Sequence, residues 1–194
     1  MSQTHFVQTY LDDLKSLLDA ISHEQIDAIV ETLFEAWQQG KRVVMMANGG
    51  SSSSVSHITN DLQKNLQLEA GKALRALCLT DNAPVLIAWA NDTSWENVFA
   101  PQIECWIEPG DVAIGISGSG NSQNVLNGMA RANELGAKTV GFAGYGGGKL
   151  AGIAQNCLVV HSNNMQRVED VHMVALHLIF SALMKRACES VGRS

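Results

Sequence analysis

Charge is scarce in this sequence. Asp, Glu, Lys and Arg make up 16% of it, and 13 basic residues face 19 acidic ones, a formal net charge of −6. Sequence-independent binding to nucleic acid or to an anionic membrane needs clustered Lys and Arg, so this balance argues against both. No two cysteines have CxxC spacing; Cys78, Cys105, Cys157 and Cys188 are spread along the chain. A disulfide framework is not expected in a chain of this size with its own core, and three of these thiols sit among apolar neighbours, as small buried hydrophobes do. No uninterrupted apolar run reaches the ~18 residues of a membrane span. The acidic, helically spaced N-terminus does not read as a signal peptide. The expected location is the cytoplasm.

What the chain does have is apolar bulk. Its 194 residues are 46% hydrophobic, enough for one sizeable domain that buries ~70% of its unfolded surface. So little polar surface remains that other subunits are expected to cover some of the apolar remainder.

Phe6, Tyr10, Leu14, Leu17, Leu18 and Ile21 recur at helical spacing, as do Ile26, Val30, Leu33, Phe34 and Trp37. Two helices are therefore expected before Gly40, broken near His23. Short apolar strands follow at 43–47, 73–79, 112–117, 139–144 and 157–161. They alternate with helices expected at 51–66, 82–90, 95–106, 122–135 and 167–190. Strands apolar on both faces that alternate with helices form a parallel, doubly wound sheet. Ligands of such sheets sit beyond the carboxyl ends of the strands, where the strand order switches.

Two strand ends carry the same design. ANGGSSSSVSH follows the first strand and SGSGNSQN follows the third. The second loop, 115–122, offers the hydroxyls of Ser117, Ser119 and Ser122 and free N–H groups at a helix start, a neutral nest suited to phosphate. It holds no Lys, so it is not a GxxxxGK[ST] loop. It is built to hold a phosphate rather than to transfer one. GYGGGKL at 144–150 is a third glycine-rich loop.

The helix after the first loop carries His57 and Asp61, one turn apart on one face. The last helix carries Glu169, His172 and His177. Imidazole and carboxylate are ligands that zinc accepts; taken alone, a His/Asp couple is more often a capped or hydrogen-bonded surface pair, and His172 reads as packed or solvated. His5, His23 and His161 belong to no such group. Asn91 and Asp92 form a turn, with Asp92 or Ser94 as an N-cap, or else put an amide and a carboxylate into the same mouth.

These motifs resemble the sugar isomerase (SIS) family in its phosphoheptose isomerase branch. The matching segments are 48–57, 90–104, 109–129, 144–151 and 167–179, in the family's order over nearly the whole chain. The resemblance implies a five-stranded, three-layer α/β/α fold of flavodoxin type. Residues 1–40 would be a helical extension that packs in the oligomer, and 41–194 the phosphosugar-binding domain. It implies a cytoplasmic homotetramer with sites between subunits, zinc as cofactor, and interconversion of sedoheptulose 7-phosphate with D-glycero-D-manno-heptose 7-phosphate. Asn48, Gly49, Gly50, Ser51, Ser117, Gly118, Ser119 and Ser122 would contact the phosphosugar, with Asn91, Asp92, Asp61 and Glu169. His57, Asp61, Glu169 and His177 would hold the metal, Asp61 acting as base and His177 as acid. The resemblance also admits a non-catalytic adaptor for a replication initiator, a phosphosugar sensor, or an isomerase of another sugar phosphate.

Three positions depart from the family's pattern. Asp61 replaces a glutamate, Glu169 a glutamine, and Asn65, beside Lys64, an arginine.

Overall fold

The computed structural model describes residues 3–193. Five strands, β1 (Arg42–Ala47), β2 (Arg75–Cys78), β3 (Val112–Ser117), β4 (Lys138–Gly144) and β5 (Asn156–Val160), form one parallel sheet. Their order is β2-β1-β3-β4-β5. The chain leaves β1 toward β2 on one side and returns to β3 on the other, so the order switches between β1 and β3. Ala47 pairs with Ile116 there, which brings the two Ser- and Gly-rich loops side by side.

The strands alternate their side chains between two cores. Met45, Ile114 and Phe142 face a cluster shared with α2 (His23–Gln39), α3 (Gly49–Asn60), α4 (Leu66–Ala70) and α9 (Met165–Ser190). Val44, Met46 and Ala113 face the opposite cluster, with α6 (Ala100–Trp106), α7 (Gln123–Glu134) and α8 (Leu150–Ile153). This is the expected three-layer arrangement. Cys78 and Cys157 are buried, and burial pushes the Cys157 thiol up to about 11. Cys188 is half-buried and Cys105 exposed.

The two N-terminal helices behave differently. In α2 the Ser22 hydroxyl caps the Gln25 N–H, Gly40 closes the end at φ +67°, and seven residues from Ile26 to Trp37 are buried. The preceding helix, α1 (Gln3–Asp19), buries none of its residues fully. Leu14, Leu17 and Leu18 lean on Val160, Val168 and Val171, and Tyr10 donates to Asp170.

Most element ends shift by one or two residues from the expected ones, and three helices are redrawn. The helix expected at 51–66 starts at Gly49 and runs through a π-turn, Asp61–Asn65, into α4. The helix expected at 95–106 divides into a 3₁₀ turn, Trp95–Asn97, and α6. Pro101 explains the division, since it is accommodated in a helix's first turn but not within one. The helix expected at 82–90 is α5 (Ala83–Asp92), so Asn91 and Asp92 belong to its last turn. By length and composition α9 could cross a membrane. Its apolar row from Val168 to Ala187 is instead buried in this protein's core.

Candidate functional site

Helix starts leave backbone N–H groups without intrahelical partners. At α2, α5 and α9 the side chains of Ser22, Asn82 and Asn164 accept from them. At the two helices that start at the switch point, α3 and α7, the N-cap residues Asn48 and Ser122 make no such bond. Ser122 precedes α7, but its hydroxyl oxygen is engaged by Ser117, whose Oγ–H donates to it at 2.9 Å, while Ser122 N–H returns to Ser117 Oγ at 3.3 Å. Ser119 is exposed and its oxygen accepts from Asn121 N–H. Asn48 precedes α3, and Gly49 takes φ +53° to turn into it.

Two features hold these loops in place. Asn48 and Asn124 exchange a reciprocal pair of amide hydrogen bonds, Nδ2 to Oδ1, at 2.9 and 2.8 Å. Asn124 is buried, and its Oδ1 also accepts from the Val125 N–H of its own helix. The loop after β4 lies backbone to backbone on the phosphate-type loop. Gly144 N–H donates to Gly118 C=O and Leu150 N–H to Gly120 C=O. A Cβ on Gly120 would fall 2.1 Å from the Gly147 carbonyl oxygen. Nothing in the sequence marks Asn124, since a lone amide after a loop carries no periodic signal.

The reactive side chains gather toward the far end of α3. His57, Asp61 and His177 bring ligand atoms within 4.8 Å of one another. His57 Nε2 lies 3.2 Å from His177 Nε2 and 3.6 Å from Asp61 Oδ2. Asp61 is mostly sheltered, its side chain 13% exposed, whereas His57 is open to solvent. A tetrahedral zinc bound at 2.0–2.2 Å holds adjacent donor atoms about 3.3 Å apart; the two separations from His57 match that spacing, and the Asp61 and His177 donors lie within 4.8 Å of each other. Three protein ligands leave a position open for a substrate oxygen.

Glu169 stands apart from this trio. Its carboxylate faces Gly50 at the start of α3, 3.5 Å from where a Cβ on that glycine would lie. Asn91 Nδ2 donates to Asp92 Oδ1 at the exposed end of α5. Ser51 is buried at the start of α3, and Gly118 lies against Met165. His172 is buried among core residues: its Nε2–H donates to the Ala143 carbonyl, its ring meets Phe142 edge-on, and burial pushes its pKa down to about 4.

Residues 9–144 match the SIS domain family. A phosphoheptose isomerase of Aquifex aeolicus is 37% identical over 166 residues, 86% of each chain. One from Clostridium acetobutylicum is 38% identical over 171 residues, 88% of this chain and 87% of its own. The chain belongs to the SIS family, in its phosphoheptose isomerase branch. The fold agrees: a phosphoheptose isomerase structure from Francisella tularensis superposes with a TM-score of 0.88 at 22% identity, covering 95% of this chain and all of that one. One from Neisseria gonorrhoeae gives 0.85 at 24%, covering 94% and 98%.

Proposed function

We propose that this SIS-family enzyme is an aldose–ketose isomerase that interconverts sedoheptulose 7-phosphate and D-glycero-D-manno-heptose 7-phosphate. The observation that carries the reading is the pairing of two chemistries on α3. Gly49 opens the helix at the switch-point loops, and His57 lies about 12 Å further along it, within the His–Asp–His group. An extended seven-carbon sugar phosphate bridges such a span. Its phosphate would lie on the N–H groups and hydroxyls of Asn48, Gly49, Gly50, Ser51, Ser117, Gly118, Ser119 and Ser122. Its carbonyl end would reach Asp61 and His177.

Isomerisation moves a proton between C1 and C2 through an enediol, which needs a base and an acid near those atoms. Asp61 takes the proton from one carbon and returns it to the other, while His177 gives a proton to the carbonyl oxygen and recovers one from the neighbouring hydroxyl. His57, Asp61 and His177 would hold zinc, with Glu169 approaching from the Gly50 end. When bound, the ion supplies polarisation of the sugar carbonyl. Glu169, Asn91 and Asp92 contact sugar hydroxyls.

The protein works as a cytoplasmic homotetramer in this reading, with α1, the part of the 1–40 extension outside this chain's main core, joining subunits. Exposed Phe6, Val7 and Leu11 on α1, and Ile87 on α5, support an interface. A stable, active monomer by light scattering would contradict it. The retained His177 favours an enzyme over an adaptor. The decisive experiment incubates the protein with sedoheptulose 7-phosphate, with and without zinc, and follows the aldose. Turnover is expected. No turnover in either case, with no thermal stabilisation by the sugar phosphate, overturns the proposal.

A further inference from the structure

The helix that carries His57 and Asp61 changes its winding at the carboxylate. Leu66 N–H reaches back five residues to the Asp61 carbonyl, closing the π-turn, where an α-turn would reach back four. Packing supplies the reason. Ile58, Leu62, Leu66 and Ala70 are buried in one core cluster. A strict four-residue repeat drifts by about 40° per step on an α-helix, so three steps would carry this row a third of the way around. One wider turn takes up part of that drift and keeps the row on the core. Single π-turns recur at functional sites.

Within this turn the two oxygens of Asp61 have different surroundings. Asn65 Nδ2 donates to Oδ1 at 3.0 Å, and Asn60 Nδ2 approaches the same oxygen at 3.4 Å. Oδ2 is the oxygen that faces His57. We infer that Asn65 is a positioning residue for Asp61: its amide holds Oδ1 and thereby fixes the rotamer that aims Oδ2 at the two imidazoles. The inference rests on the proposed role of His57, Asp61 and His177. Hydrogen-bond partners of metal-binding carboxylates typically matter 10- to 100-fold. A purely structural Asn65 would affect stability and leave metal affinity alone.

The test compares zinc affinity, by competition with a chelating indicator, with thermal unfolding and with kinetics on sedoheptulose 7-phosphate, all on the full chain. Asn65→Ala is expected to weaken zinc binding about tenfold and lower kcat about tenfold, with KM nearly unchanged. Asn65→Gln, which keeps the amide, should recover part of both losses. With Asp61 already replaced by Asn, Asn65→Ala should change zinc affinity less than about twofold, because no carboxylate remains to be aimed. If the alanine variant does not fold, Asn65→Leu, similar in shape but without the donor, makes the same comparison. Unchanged zinc affinity in the Asn65 variant, an equal loss with and without the Asp61 carboxylate, or a wild type that binds no zinc overturns the inference. Should the wild type bind zinc with these differences yet fail to turn over the heptulose phosphate, the isomerase reading falls while the role of Asn65 stands.

Discussion

His57 and His177 meet nitrogen to nitrogen, their Nε2 atoms 3.2 Å apart and their rings inclined at 66°. A direct hydrogen bond needs a proton on one of these nitrogens, whereas a shared metal needs both bare. The pair is therefore open to either occupant, a proton or an ion, and the two compete. Elemental analysis of unchelated protein is expected to find a divalent ion at stoichiometric level. His177→Ala should lower kcat 10²- to 10⁴-fold while the sugar phosphate still raises the melting temperature. Normal turnover by this variant would remove His177 from the role of acid.

The seryl couple at the switch point tests the phosphate seat separately. Ser117→Ala removes the hydroxyl that bonds both the Oγ and the N–H of Ser122. A hydrogen bond to a charged group contributes about 1.5–3 kcal/mol, so KM for the phosphosugar should rise about tenfold or more, with kcat affected far less. An unchanged KM would place the phosphate elsewhere.

Backbone contact between loops leaves no room at Gly120. Its φ is +68° and an added Cβ would meet the Gly147 carbonyl. Gly120→Ala is expected to cost about 2–4 kcal/mol from strain and overpacking together, read as a lowered melting temperature. A variant as stable as the wild type would mean that the two loops separate freely.

His172 makes stability depend on pH. Its folded pKa, about 4, lies below the ordinary 6.5 because burial penalises the imidazolium. The unfolded chain therefore binds the proton more readily, and stability rises with pH. The full contribution is present above about pH 6.5 and is lost as pH falls toward 4, a total of about 3 kcal/mol. His172→Gln keeps a donor for Ala143 without the titration. Its melting temperature should fall less than the wild type's between pH 7 and pH 5; parallel declines would contradict the assignment.

The sheet could be read from the sequence because its strands are apolar on both faces, and β1 and β3 end in loops of the same small residues. His57, Asp61 and His177 were legible as a turn-spaced pair plus a histidine on the last helix. Less legible was whatever depends on partners distant in the chain. The amide clasp joins positions 48 and 124, and neither residue advertises the other. The π-turn hides within a spacing that an α-helix also accepts, and only the buried row from Ile58 to Ala70 accounts for it. Glu169 shares its helix with His177, but eight residues separate them by about 12 Å along the axis. Its carboxylate accordingly lies beside Gly50 rather than among the imidazoles.

The glycine contacts make the phosphate-type loop and the last helix mechanically one piece. Gly118 lies against Met165 and Gly144 against Val168, both in the first turn of α9, and His177 stands further along the same rigid rod. A force applied at the loop is therefore felt at the imidazole, as at the far end of a lever. A sugar without its phosphate would lose that purchase, and with it turnover rate as well as affinity.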